Sequence, residues 1–146
     1  MKQKLISAFI FLLLVSVSFA QKDPVYNTKS GAIEGYDAVA YFNESKAVKG
    51  SSEFTYEWNN TTWSFYSEKN LTLFKEDPEE YAPQFGGYCA YAVSKGNVFK
   101  SSPEAWTIVD GKLYFNFNKM VQKKWLKDQD SLIKLGEKNW PKVIEK

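Results

Sequence analysis

The sequence predicts an α+β fold, a small antiparallel sheet built from two β-hairpins with helices packed against it. Two observations predict the hairpins, because runs of β-forming residues flank the turn pairs Asn59-Asn60 and Asp110-Gly111. A third observation predicts the helices. A residue that can cap a helix, Ser67 or Asn118, follows each hairpin and precedes apolar residues at helical spacing.

Each element has its own local signal. The first hairpin is predicted over 53–66, where polar and aromatic residues alternate and Asn tolerates the positive φ of a turn. The second is predicted over 105–117, helices near 68–76 and 118–129 follow the hairpins, and a last helix stops at Pro141. The aromatic residues expected largely in the core are Trp58, Trp63, Phe65, Phe74, Trp106 and Phe115.

Three further assignments concern the segments outside these elements. Val39 and Tyr41 follow a turn at Gly35 and predict a short strand, and Met120 is assigned to a core helix. The stretch Gly86 to Val93 is small and apolar after a glycine pair, which indicates a buried segment that is either helical or extended.

The N-terminus has the features of a secretory signal peptide over 1–20. Lys2 and Lys4 precede an apolar run, and Ser18-Phe19-Ala20 offers small residues for cleavage before Gln21. The alternative is an uncleaved anchor helix, but the apolar run is short for a span. We therefore expect an exported protein, periplasmic or extracellular and bacterial, with no stable membrane anchor after cleavage. Residues 21–30 are predicted as a flexible arm, and 31–146 as a single domain with a C-terminal helical extension.

The composition excludes several chemistries. The chain has no His and one Cys, so Ser-His-Asp catalysis, Cys-His catalysis, His-ligated zinc and an intramolecular disulfide are all impossible. All 19 basic residues are Lys, two of them in the predicted signal, and the rest balance the 17 acidic residues. The predicted mature chain is therefore neutral, and no nucleic-acid partner is expected.

The central part of the chain carries a recognisable pattern of aromatic and turn residues. These residues are Gly35 to Phe42, Phe54 to Trp58, Trp63 to Ser67, Leu73-Phe74, Asp77-Pro78 and Tyr81. They resemble the YHS domain family, whose aromatic hairpin is followed by a helix and a D-P-x-x-Y end. Most of the resemblance lies within 36–94, and the whole chain is similar to short exported YHS-domain proteins.

The resemblance implies metal binding, because related metal-associated domains place cysteines after the first strand and at the end of the hairpin. This sequence departs from that pattern at both places, with Ala40 at the first and Tyr66 at the second. Soft thiolate ligation by those two positions is lost, and the metal inference from the family is lost with it.

The candidate site therefore rests on Cys89 and its neighbours. The pair Gly86-Gly87 lets the backbone approach a ligand closely. Three interpretations of Cys89 stay open, namely a small buried hydrophobe, a ligand-binding or redox residue, and an intermolecular disulfide. Asp37 beside Tyr36 would bind a cation or a polar ligand, or would only close a turn. The predicted ligand-binding residues are Tyr36, Asp37, Gly86, Gly87, Tyr88 and Cys89, with Cys89 and Asp37 as ligands for a metal such as copper or zinc.

Three functions compete at this point. The first is a non-enzymatic binding module that holds a metal ion or small ligand near Cys89. The second is a structural or protein-interaction domain, and the third is a redox enzyme that uses the Cys89 thiol. The cofactor is unknown, no catalytic residue is assigned, and the predicted partner is a second copy that brings two Cys89 residues together.

Overall fold

The computed structural model describes Ser16 and residues 21–146, which form a mixed α+β fold, so the predicted class is confirmed. The predicted signal peptide lies outside the described residues, apart from Ser16. No helix within the described part of the chain has the length and apolarity needed to cross a membrane.

Both predicted hairpins are present. Strands β3 (Ser51–Trp58) and β4 (Thr61–Phe65) pair in antiparallel register, and the two turn residues between them have φ values of 53° and 57°. Strands β5 (Trp106–Val109) and β6 (Lys112–Phe115) form the second hairpin. A short ladder of β1 (Asn27–Thr28) and β2 (Gly31–Ala32) precedes them.

The prediction that the two hairpins share one sheet is wrong. Within residues 21–146 each ladder is a separate two-stranded sheet. The hairpins are joined by side chains instead, because the ring of Tyr41 contacts Trp106 at 5.3 Å and Phe115 at 5.2 Å between centroids. The Tyr41 hydroxyl also donates to the carbonyl of Pro103 at 2.9 Å. Tyr41 and Phe115 belong to the same buried cluster as Trp63 of the first hairpin, so side-chain packing connects the two hairpins.

The strand predicted at Val39 and Tyr41 is also wrong, since Ala38–Asn43 forms helix α1. Asp37 precedes this helix, and its Oδ1 accepts hydrogen bonds from the backbone N–H groups of Val39 and Ala40. This is N-terminal capping, which satisfies donors that a helix start leaves unpaired. The cap and the burial of the residues from Ala38 to Tyr41 outweigh the β preference of Val39 and Tyr41.

Three of the remaining helices begin at a side-chain cap. Helix α2 (Glu68–Glu76) begins after Ser67, as predicted, and Asp77 caps α3 (Pro78–Tyr81). Helix α4 spans Ala90–Ser94, and α5 (Lys119–Lys127) begins after Asn118. The stretch from Gly86 is thus a 3-10 turn that ends at Gly87, followed by a short α-helix.

Helix α6 (Gln129–Ile144) corrects the predicted stop at Pro141, because the helix continues through the proline. A proline inside a helix removes one hydrogen bond, so neighbouring contacts have to offset that loss. Val143 beyond it is buried, and Trp140 before it contacts Phe85 and Tyr88. Met120 lies in helix α5, whose Trp125 is buried, but the Met120 side chain itself is 67% exposed and faces away from the core.

Two clusters of buried side chains hold the fold together. The first joins both hairpins with α1 and α2, and the second joins α4, α5 and α6 to the Phe85 turn. Four of the six predicted core aromatics are fully buried, and Trp58 and Trp106 are half-buried against them. Val25 is 3% exposed in the first cluster, so the second half of the segment predicted as an arm is part of the fold.

Candidate functional site

Asp37 is a hydrogen-bonding centre for three elements. Its carboxylate is 0% exposed, and Oδ1 caps α1. Oδ2 accepts from the backbone N–H of Tyr66 at 3.0 Å and from the side-chain amide of Asn70 at 2.9 Å. Asp37 therefore ties the start of α1 to the end of β4 and to α2. Both carboxylate oxygens are occupied by protein donors, which favours the structural interpretation of this residue.

Cys89 is 2% exposed at the start of α4. Its backbone N–H donates to the carbonyl of Phe99 at 2.9 Å, and its thiol lies 3.7 Å from Oδ1 of Asn116. Burial raises the pKa of the thiol, against weaker lowering contacts from nearby backbone groups. A buried thiol with a raised pKa has little thiolate character, and the thiolate is the form that ligates metals and reacts.

Asn116 fixes the surroundings of Cys89. It is fully buried, and its Oδ1 accepts from the backbone N–H of Tyr91 at 3.1 Å, which sets the orientation of the amide. The backbone of Asn116 pairs with Ala105 and Ser102. Among the described residues the Nδ2 group has no hydrogen-bond partner. Asn116 thus links the end of β6 to the start of α4, beside the thiol of Cys89.

We expect Cys89 to resist labelling in the folded protein. A thiol reagent such as 5,5′-dithiobis(2-nitrobenzoate) should react at least about 100-fold more slowly with the native chain than with the chain in urea, because the thiol is buried and protonated. Absorbance at the wavelength of the released thiolate measures both rates on one preparation. Rapid native labelling would show that Cys89 is accessible and would restore it as a reactive centre.

The other predicted residues lie beside an aromatic cluster. Gly86 has φ of 60°, and its carbonyl accepts from the backbone N–H of Tyr26 at 2.9 Å. The carbonyl of Gly87 accepts from the hydroxyl of Ser101 at 2.6 Å. Tyr88 donates to the carbonyl of Asp23 and contacts the rings of Tyr26 and Trp140. This turn therefore joins the N-terminal segment to the C-terminal helix.

A groove of about 500 Å³ opens at this junction, and we call it the tryptophan groove. The first hairpin contributes two Trp residues and α6 contributes a third, while the Phe85-Gly86 turn and the N-terminal segment complete the wall. Its size lies within the range of small-molecule sites. The lining residues are Pro24, Val25, Trp58, Asn59, Trp63, Glu79, Ala82, Pro83, Gln84, Phe85, Gly86, Trp140 and Ile144.

The aromatic walls of the groove are held in place by specific contacts. The indole Nε1 of Trp63 donates to the carbonyl of Trp58 at 3.0 Å, and the two rings lie 5.7 Å apart. The ring of Trp140 lies 5.9 Å from that of Phe85. Phe85 itself has φ of 55°, a left-handed conformation that non-glycine residues rarely adopt and that is concentrated at functional sites. The groove is therefore preorganised rather than assembled from loose side chains.

A second groove of about 510 Å³ lies between the β1–β2 ladder and the first hairpin. It is lined by hydroxyl-bearing and glycine residues and by no aromatic side chain. Its charged lining residues are Lys29, Lys49, Glu34 and Glu57, whose charges cancel. Aromatic rings line the tryptophan groove and not this second groove, and aromatic side chains are typical of small-molecule sites, so the tryptophan groove is the stronger candidate.

The structure brings together only part of the predicted site. Gly86 lines the tryptophan groove, and Tyr88 supports it through Trp140. Within residues 21–146 no hydrogen bond links Tyr36 or Asp37 to the turn that carries Cys89, and Tyr36 packs on the first core cluster. The sequence reasoning missed Trp140 and Glu79 as lining residues. The high Trp content was a usable signal for an aromatic site. Of the five Trp residues, Trp63 and Trp125 are buried in the two core clusters, and the other three keep part of their surface exposed.

The fold and the groove define a small α+β domain with a preorganised aromatic site. A family model described as "YHS domain" matches residues 39–85, which confirms the resemblance predicted from the sequence. Neither a curated protein nor a solved structure matches the chain. The matched segment supplies Trp58, Trp63 and Glu79 to the groove, whereas Trp140 comes from outside it.

The residues of this chain do not fit the metal that the family resemblance implies. Ala40 is buried in α1, and the exposed hydroxyl of Tyr66 donates to the carboxylate of Glu44. Across the residues that the structure describes, no group of three or more His, Cys, Asp or Glu side chains is placed to hold a metal ion. A stable site needs several such donors, and Asp37 already accepts from four N–H groups.

Proposed function

We propose that this chain is an exported, non-enzymatic module that binds a small organic ligand in the tryptophan groove. The observation that carries the proposal is the groove itself, an aromatic concavity of about 500 Å³ whose walls are fixed by ring contacts and a hydrogen bond. Gly86 in its wall lies three residues before Cys89, so the site is close in the chain to the one predicted from the sequence.

Two arguments support binding rather than catalysis. The chain has no His, and burial raises the pKa of its one thiol, so a general base or nucleophile active near neutral pH would need another source. The buried carboxylate of Asp37 is committed to capping and to Asn70. Export is supported by the basic, apolar and small-residue regions at the N-terminus.

Binding is tested by following the indole N–H signals of Trp58 and Trp140 in ¹H–¹⁵N spectra during titration with indole, benzyl alcohol and choline. We expect at least one probe to shift both signals. In Trp140→Leu the affinity for that probe should fall at least about tenfold, because an aromatic wall of the groove is lost.

The matched control is Trp106→Leu, because Trp106 is also half-buried but lies in the second hairpin outside the groove. It should leave the affinity within about twofold of the unchanged protein, since effects of distant sites are independent. Circular dichroism of both variants confirms that they are folded. If no probe shifts the indole signals, the groove is not a ligand site and the protein-interaction alternative replaces it.

A further inference from the structure

The tryptophan groove also carries information about the charge of its ligand. We infer that this ligand is a small organic cation, such as a quaternary or primary ammonium compound. The inference rests on the proposed function, because it assigns a chemical class to the ligand of the same groove. Three observations support it: the kind of aromatic ring, the one charged lining residue, and the distribution of lysines.

The aromatic lining consists mainly of indole rings. Trp58, Trp63 and Trp140 line one groove, and Trp offers the strongest electrostatic attraction to a cation over its ring face. Trp58 and Trp140 are half-buried and therefore present ring surface to a ligand, while Trp63 is 1% exposed and lies beneath them. Quaternary ammonium groups are recognised by aromatic surfaces of this kind.

The charge of the lining has one sign. Glu79 is the only formally charged residue among those that line the groove, and no Lys is among them, although the chain contains 19. A carboxylate beside aromatic faces attracts a cation and repels an anion. A divalent metal would need more oxygen ligands than one carboxylate supplies. The complementary ligand is therefore an organic cation with an apolar body.

Three lysines of the chain lie over aromatic rings outside the groove. Lys75 lies over Tyr56, Lys95 over Tyr91, and Lys100 over Phe117, at 5.3 to 5.7 Å from the ring centroids. Within the described part of the chain, no such contact involves the three Trp residues of the groove. The faces best suited to a cation are thus left without one from the protein.

The test compares choline with 3,3-dimethylbutan-1-ol, which has the same shape but no charge. Both are titrated into the full mature chain, and the indole N–H shifts of Trp58 and Trp140 give the affinities. We expect choline to bind at least about tenfold more tightly, because the attraction between a cation and a ring requires the charge.

Two matched variants test the role of the carboxylate. Glu79→Gln should weaken choline binding about fivefold and leave the neutral alcohol unchanged. Glu80→Gln is the control, because Glu80 is exposed on the same short helix but does not line the groove. It should leave both affinities unchanged.

Each outcome decides between the two proposals. Equal or tighter binding of the neutral alcohol would overturn the inference of a cationic ligand while leaving the groove as a binding site. An unchanged choline affinity in Glu79→Gln would also overturn it. If neither probe, nor indole or benzyl alcohol, shifts the indole signals, the proposed function fails, and the inference fails with it.

Discussion

Replacing Asp37 by Ala is expected to lower the free energy of unfolding by at least about 3 kcal/mol. The change removes the cap of α1, which contributes about 1 kcal/mol. It also leaves the buried amide of Asn70 and the partly buried N–H of Tyr66 without an acceptor, at about 1–3 kcal/mol for a fully buried donor and less for a partly buried one. This loss is a large part of the 5–15 kcal/mol that is typical of a whole domain.

Urea unfolding followed by circular dichroism measures the effect. The matched control is Ser67→Ala, because Ser67 caps α2 with a single hydrogen bond to the backbone N–H of Asn70, and its loss should cost about 1 kcal/mol. Asp37→Asn provides a milder variant if the Ala protein does not fold. It keeps the shape but places its NH2 group either against both Tyr66 and Asn70 or against the N–H groups at the start of α1, so an intermediate loss is expected.

The result also decides between the two interpretations of Asp37 that the sequence left open. A residue held in place for a ligand is often destabilising, and its replacement then leaves stability unchanged or raises it. A structural centre behaves in the opposite way. If Asp37→Ala lowers the free energy of unfolding no more than Ser67→Ala does, the structural interpretation of Asp37 is wrong, and the ligand-binding interpretation replaces it.

The parts of the fold that the sequence predicted correctly depend on local signals. Asn59-Asn60 and Asp110-Gly111 supply positive φ within two residues, and these turns place both hairpins. Ser67 and Asn118 bond to N–H groups three residues ahead, and these caps place the starts of α2 and α5. In each case the residues that determine the structure are neighbours in the chain.

The errors arose where distant residues determine the structure. Asp37 was interpreted as a turn residue or a ligand because its partners Tyr66 and Asn70 lie 29 and 33 residues away. Pro141 was interpreted as a stop, but contacts of Trp140 with Phe85 and Tyr88 hold the helix across it. Tertiary contacts outweighed local preference at both places, and no pattern within a short window contains them.

The candidate site illustrates the same limit. The sequence directed attention to the one unusual thiol, Cys89, which the structure buries beside Asn116. The tryptophan groove draws its walls from four separate parts of the chain, between Pro24 and Ile144. Only Gly86 was assigned to a site in advance, because a glycine pair indicates close backbone approach whatever approaches it. The approaching group is the carbonyl of Pro24 in the N-terminal segment.

Because of that close approach, we expect Gly86→Ala to cause the second large loss of stability. A Cβ on Gly86 would lie well inside the van der Waals contact distance of the Pro24 carbonyl oxygen, a backbone atom that no rotamer change can move. The residue also has φ of 60°, which costs a side-chain-bearing residue about 1–2 kcal/mol. With about 1–3 kcal/mol for the overpacked contact, the free energy of unfolding should fall by about 2–5 kcal/mol.

Gly96→Ala separates the two contributions. Gly96 has φ of 81°, but nothing lies within 4 Å of the position its Cβ would take, so only the conformational cost applies there. Urea unfolding of the two variants should therefore differ by the cost of the contact with Pro24. Gly86→Ala should also weaken probe binding in the tryptophan groove, because Pro24 and Gly86 both line it, whereas Gly96→Ala should not. Equal stability and equal binding in the two variants would mean that the Pro24 carbonyl does not pack against Gly86. Pro24 would then not belong to the wall of the groove.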